Sequence, residues 1–234
     1  TPPYRGNTPA RIRNMVSFAF AVWRLPSEVF GARPDVIWGS SPHLFAALAA
    51  QRIARRFHIP FVLEVRDLWP ESLVALGGIS RAHPFIVLLE WIERYLYSRA
   101  NHIITLLPLA AEHMALKGAD ASKITWIPNG IDLEMIPDIG NKKENSSLVG
   151  IYAGTHGLAN GLDLLLDAAK ILQSSDLKDK VYFRLVGDGP EKARLMNRAQ
   201  TEGITNVSFE DPVPKNDVDK ILAEADFFTV VLRD

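Results

Sequence analysis

Four ionisable groups fall within eight residues in Glu64-Val65-Arg66-Asp67-Leu68-Trp69-Pro70-Glu71, at the end of the apolar run that begins at Pro60. Charges this dense are costly to bury unless they pair with one another or line a solvated cleft. Arg66 stays protonated and cannot act as a base, so its chemistry is donation of hydrogen bonds to an oxygen-rich ligand. Glu64, Arg66 and Asp67 are therefore candidate catalytic residues. The plainer alternative is a structural Arg66–Asp67 or Arg66–Glu71 ion pair.

Three further signatures close apolar runs: Ile127-Pro128-Asn129-Gly130-Ile131-Asp132, Tyr152-Ala153-Gly154-Thr155-His156-Gly157 and Leu185-Val186-Gly187-Asp188-Gly189-Pro190. Asn129-Gly130 is a strong turn dipeptide. The glycines of the second segment let backbone N–H groups approach an anion, and a helix N-terminus near Gly161 adds its dipole. An ordinary strand–helix turn is the competing reading. In the third, Gly187 and Gly189 permit a sharp turn and Pro190 suits a first helical position; a structural and a binding role for Asp188 weigh equally.

Positioning these segments requires strands alternating with helices. Strands are expected at 35–39, 60–65, 103–107, 124–127, 148–153, 181–186, 207–209 and 227–232. Helices are expected at 43–57, from Pro84 to about Ala100, near 110–117, and at 161–173, 191–203 and 217–225. Such alternation implies βαβ units and parallel sheets. Residues 132–147, with Pro137, Gly140, Lys142, Lys143 and Ser146, lack periodicity and read as a linker. The chain thus reads as lobes at 1–137 and 148–234 joined by 138–147, with a cleft between them. In open α/β sheets ligands bind at the carboxyl ends of strands, where all four signatures fall.

Composition narrows the classes. The 234 residues are 47% hydrophobic and 23% charged with no cysteine, which excludes a disulfide scaffold, a thiolate zinc site and a cysteine nucleophile. No apolar run reaches the ~18 residues needed to span a bilayer, and a cytoplasmic protein is expected. The charge is uneven. Residues 1–137 carry 14 Lys and Arg against 11 Asp and Glu, while residues 138–234 carry 12 against 16. A basic first lobe suits an anionic lipid or diphosphate, though ordinary scatter accounts for the imbalance as well.

In order and wording the four signatures resemble the retaining nucleotide-sugar glycosyltransferases of family 4, with the GT-B fold. The "EvRDlWPes" form of the first is similar to a branch transferring amino or deoxy sugars in O-antigen and capsule assembly. The resemblance runs from about Tyr4 to Asp234. It implies an α/β protein of two Rossmann-like parallel-sheet lobes, both incomplete here. It also implies transfer of a sugar, such as a hexose from UDP, to a lipid-diphosphate-linked glycan with retention, without metal or other cofactor and without nucleic acid. A nucleotide-sugar 2-epimerase of related architecture and a non-catalytic scaffold of a polysaccharide assembly complex are the alternatives.

By the same resemblance Gly154, Thr155, His156 and Gly157 face the donor diphosphate. Gly187, Asp188 and Gly189 lie near the nucleoside, the Phe209–Val213 stretch reads the base through its backbone, and Asn129 ends the first lobe at the cleft. Many members carry an Arg and a Lys-Gly where this chain has Thr155 and Asn160-Gly161, so two clamp charges are missing. Backbone amides, His156 or Arg66 are the candidates to replace them.

Remaining features have plainer readings. Asp217-Val218-Asp219 opens a polar helix, where Asp217 suits a cap. Among the histidines, His43, His58, His83, His102 and His113 share no metal-ligand spacing. The helix 83–100 carries more apolar residues than one core-facing stripe needs. Together with Phe18, Phe20 and Trp23 beside Arg11, Arg13 and Arg24, it fits burial or peripheral membrane contact. The chain begins without Met and ends on an apparent buried strand, Thr229–Asp234. That reads as a piece of a larger protein, expected to be nearly inactive alone.

Overall fold

β1 (Ile37–Ser40), β2 (Phe61–Val65), β3 (His102–Thr105) and β4 (Ile124–Trp126) lie side by side in that order, all parallel, with Ile37 opposite Phe61 and Leu63 opposite Ile103. The computed structural model describes residues 2–3, 9–41, 43–75, 78–131 and 147–232. It divides the chain into two units, residues 1–130 and 131–234. The linker expected at 138–147 falls, but for Ser147, outside the described residues.

In the first unit the chain steps always in one direction across the sheet. Right-handed crossovers then deliver the connecting helices to a single face. On that face α2 (Leu44–Phe57), α4 (Pro84–Arg99) and α5 (Ala110–Leu116) bury Ala47, Leu89, Leu96 and Met114 against Phe61, Leu63 and Ile103. Side chains alternate along a strand, so Trp38, Ser40, Val62 and Glu64 point to the opposite face. The His43 side chain starts α2 by accepting the Ala46 N–H at 2.9 Å, and His83 starts α4 by accepting from Phe85. His58 ends α2 in the left-handed region at φ 53°. These histidines are helix-end groups. Two helices were not anticipated, α1 (Pro9–Trp23), which packs on α2, and the short α3 (Glu71–Ala75).

The second unit contains β5 (Leu148–Ala153), β6 (Val181–Val186), β7 (Val207–Glu210) and β8 (Phe227–Phe228), in the parallel order β7-β6-β5-β8. The chain moves outward from β5 to β7, then returns to the other side of β5. That reversal is a topological switch point, where open α/β sheets bind ligands. α6 (Asp163–Gln173) and α7 (Lys192–Thr201) bury Leu166, Ala169 and Leu195 against Phe183 and Leu185. Arg198 staples them by reaching Asp163 at 2.9 Å and Glu202 at 2.8 Å.

Two expectations are corrected. The final strand is not 227–232 but ends at Phe228. Val230 and Leu232 are 86% and 72% exposed, because β8 is an edge flanked only by β5. The helix expected at 217–225 is only α8 (Val218–Leu222). Asp217 stands at its N-cap without a capping bond, its carboxylate instead accepting from Lys220 Nζ at 2.6 Å.

Candidate functional site

In the second unit the carboxyl ends of β5 and β6 are held in contact by glycine. A Cβ at Gly187, where φ is +146°, would lie 1.9 Å from the Gly154 carbonyl oxygen, and one at Gly189 would lie 2.4 Å from that of His156. The His156 N–H donates to Asp188 O at 2.9 Å, and the Glu191 N–H donates back to His156 O at 3.0 Å. The Tyr152 hydroxyl closes the turn on Thr155 O at 2.8 Å. Among the described residues the N–H groups of Thr155, Gly157 and Asp188 find no protein acceptor. Three free amides at adjacent strand ends, beside the switch point, form a concavity suited to an anion.

Lys192 was missed by the sequence reading. Its ammonium donates to Gly187 O at 2.9 Å, Glu210 O at 2.8 Å and Asp211 Oδ1 at 3.0 Å, tying the end of β6 to that of β7. Its position at the start of α7, three residues after Gly187-Asp188-Gly189, was the available signal. Asp188 is exposed and its carboxylate folds back on the Gly189 N–H at 2.8 Å. Val213 follows β7, half-buried. A cavity of about 530 Å³ opens beside Gly157 and Gly161 between the starts of α6 and α7. Its one cation, Arg194, already faces Asp163 at 2.5 Å and Glu191 at 2.7 Å, so the free amides are the better phosphate site.

One assignment changes. The His156 imidazole is fully buried beside Tyr152 and Phe209, both ring nitrogens lack a partner among the described residues, and burial lowers its pKa. It cannot replace a clamp charge, and only its backbone belongs to the turn. The Asn160 side chain lies against Gly157, its Oδ1 3.0 Å from where a Cβ there would stand. Thr155 stays exposed at the tip.

In the first unit the carboxyl ends of β1 and β2 are joined by Ser41, which is 4% exposed. Its hydroxyl accepts the Arg66 N–H at 3.0 Å and donates to Asp67 O at 3.2 Å. Asp67 Oδ1 accepts from Ser72 at 2.6 Å, fixing the carboxylate above a cis Trp69–Pro70 bond. The Arg66 side chain is exposed, and among the described residues no carboxylate pairs with it; Glu71 instead pairs with Arg81. The structural ion pair offered for Arg66 is absent among the described residues, leaving its guanidinium available. Glu64 does not join Arg66 and Asp67. From the opposite sheet face it accepts from Ser40 and, at 3.4 Å, from the Trp38 indole. Asn129 lies exposed beyond β4.

Beneath this loop Glu93 lines a small cavity with Ser41, Asp67 and Trp69. Its Oε1 accepts from Tyr97 at 3.0 Å, its Oε2 has no partner among the described residues, and burial pushes its carboxyl up to about 7. An acid in the apolar stripe of α4 was the signal for it in the sequence.

Two parallel-sheet α/β units, each with its polar residues gathered at strand carboxyl ends, define the GT-B class of glycosyltransferase fold. Residues 1–130 match the family model for the glycosyl transferase 4-like domain, and residues 136–233 match that for glycosyl transferases group 1. The chain belongs to the glycosyl transferase 4-like family. It is 24% identical over 220 residues to WcaI of Escherichia coli (strain K12), named as a colanic acid biosynthesis glycosyl transferase, covering 88% of this chain and 53% of that protein. Among solved structures it is similar to Anabaena Alr3699/HepE in complex with UDP and glucose, with a TM-score of 0.63, 14% identity and coverage of 99% of this chain and 59% of that one. Sucrose-phosphate synthase from Thermosynechococcus elongatus gives a TM-score of 0.71 at 14% identity, covering 97% and 56%. The chain thus spans somewhat over half the length of these relatives.

Proposed function

We propose that the protein to which this chain belongs transfers a sugar from a nucleoside-diphosphate donor to a glycan acceptor in surface-polysaccharide assembly. The observation that carries this reading is the set of free N–H groups at Thr155, Gly157 and Asp188, beside the switch point of the second sheet. Backbone amides fixed before the ligand arrives stabilise phosphate charge without reorganising, and they take over from the missing clamp cations. The complex of HepE with UDP and glucose and the assignment of WcaI to colanic acid support a UDP-sugar donor and a polysaccharide product.

In this reading Arg66 donates to the sugar or diphosphate, Asp67 is held ready by Ser41 and Ser72, and Glu64 is a supporting rather than reacting residue. Transfer proceeds with retention to a lipid-diphosphate-linked acceptor at the cytoplasmic membrane face, with no metal or other cofactor. The departing diphosphate helps deprotonate the acceptor.

Calorimetric titration of the natural full-length protein with UDP and GDP tests the donor site, repeated with Gly157→Pro, which deletes one free amide. Binding of one nucleotide, lost in a variant that still unfolds cooperatively, is expected. Binding of neither would overturn the reading in favour of a scaffold. Conversion of the donor to another sugar nucleotide without release of free diphosphate would instead identify an epimerase.

A further inference from the structure

Arginine is used differently in the two units, apart from Arg81 of the first, which pairs with Glu71 and Glu90. In the second unit Arg184, Arg194 and Arg198 each sit in ion pairs with carboxylates. In the first, Arg24, Arg52, Arg55, Arg56, Arg94 and Arg99 are exposed and have no carboxylate partner among the described residues. Arg24, Arg52, Arg56 and Arg99 lie instead on aromatic rings or reach a carbonyl. Arg52 covers Trp23 at 5.5 Å, Arg99 covers Tyr95 at 5.5 Å, Arg24 covers Phe20 at 5.0 Å, and Arg56 donates to Leu25 O at 2.9 Å.

These side chains share one surface. Trp23 of α1, Arg52 and Arg55 of α2 and Tyr95 of α4 line a common depression, and Trp91 stacks on Tyr95 at 5.8 Å. An apolar groove of about 270 Å³ continues it between Val16, Phe20 and Trp23 of α1 and Phe45 and Leu48 of α2. Trp91 is 61% exposed and Trp23 45%, with Val87 and Leu88 beside them on α4.

Carboxylates are missing where they would normally balance such a face. From Thr1 to Leu63 the sequence holds only Glu28 and Asp35 against eight arginines, and α1 and α2 contain no acid. On α4, Glu93 is buried on Tyr97 and Glu90 is taken by Lys117 and Arg81. Because α2 starts beside the carboxyl end of β1 and runs back, Arg52, Arg55 and Arg56 lie at the sheet end remote from Ser41, Arg66 and Asp67.

We propose that this α1–α2–α4 face docks the protein on an anionic phospholipid bilayer, its arginines meeting headgroup phosphates and Phe20, Trp23 and Trp91 entering the interface. Cationic side chains with aromatic and aliphatic neighbours on one face are what an interfacial contact needs. Guanidinium is weakly hydrated and forks onto phosphate oxygens. Two kinds of signal on one face also meet the requirement for stable anchoring. The proposal does not depend on the transferase reading, since it involves none of the strand-end residues.

The test is sedimentation of the full-length protein with phosphatidylcholine vesicles and with vesicles containing phosphatidylglycerol, at low and high salt. Binding to the anionic vesicles only, weakened by salt, is expected. Arg52→Gln/Arg55→Gln/Arg56→Gln should lower the partition coefficient about a hundredfold, and Trp91→Ser about tenfold, with unfolding temperature and nucleotide binding unchanged. Failure to bind either vesicle, or equal binding to both that the triple variant does not alter, would overturn the proposal. So would a concentration-dependent dimer that the same substitutions dissociate, which would assign the face to a second copy.

Discussion

Gly187 and Gly154 stand so close that the carbonyl oxygen of one occupies the place where a Cβ of the other would be, 1.9 Å away. The Gly154 N–H donates to Val186 O at 3.0 Å, just before that contact. The "Gly-Asp-Gly" turn is therefore demanded first by the packing of two loops, and the free amides beside it are a consequence of that packing. Gly187→Ala combines a clash with backbone at positive φ, and about 3 kcal/mol of stability should be lost. Chemical denaturation measures it, with Gly130→Ala, where nothing lies within 4 Å, as the near-neutral comparison.

Lys192 satisfies two strand-end carbonyls with one ammonium. Lys192→Met removes those bonds while keeping the aliphatic stem, and about 2 kcal/mol should be lost. Because the ends of β6 and β7 then loosen together, calorimetry should report weaker nucleotide binding. Unchanged binding would mean that the β6–β7 junction does not shape the proposed donor site.

Ser41 holds the Arg66–Asp67 backbone from β1. Ser41→Ala should cost about 1 kcal/mol; under the proposed function it should also reduce sugar transfer by the full-length protein, while nucleotide affinity, which that proposal places on the other unit, stays the same. Equal losses in both would contradict the division of labour between the units.

Arg66 is exposed and unpaired among the described residues, so Arg66→Ala should leave stability within about 0.5 kcal/mol. Turnover should fall about a hundredfold if its guanidinium stabilises developing charge. Arg66→Lys should restore only part, since an ammonium lacks the planar fork.

Glu93 makes stability depend on pH in a defined direction. Its carboxyl is raised from an ordinary 4.5 to about 7, chiefly by burial, against the Tyr97 hydrogen bond and the Lys117 and Arg94 charges that lower it, with Glu90 raising it. The folded state therefore keeps a proton that the unfolded chain releases above 4.5. The stabilisation is complete below pH 4.5, declines as pH rises through 7, and amounts to a ceiling of about 3 kcal/mol. Glu93→Gln should flatten this part of the profile and be the more stable protein at pH 8, as read from denaturation midpoints between pH 5 and 8.

Much of the fold was legible because it rests on local periodicity. The runs Leu148–Ala153 and Val181–Val186 are strands as read, and the helix after Pro84 ends at Arg99 as its apolar stripe dictates. The misreadings fall where local pattern is a poor guide. The segment after Phe228 is apolar enough for a core strand, yet an edge position gives it only one neighbour. α1 is rich in aromatic residues without a clear polar face, so its helical period is masked.

By itself the sequence determined which segments end strands, which of them carry glycine, and which carry charge, because chain chemistry sets turn type and strand length. Only the tertiary structure decided how those ends are used. It turned the His156 ring inward and left the Thr155, Gly157 and Asp188 amides free. It spent the Glu64 carboxylate on Ser40 and Trp38 of the neighbouring strand, while the Asp67 carboxylate, in the loop after β2, was taken by Ser72. It also brought Ser41 and Lys192 to sites that sequence distance hides. Hydrogen-bond partners and burial are properties of neighbours in space, and those are fixed only when separate strands pair.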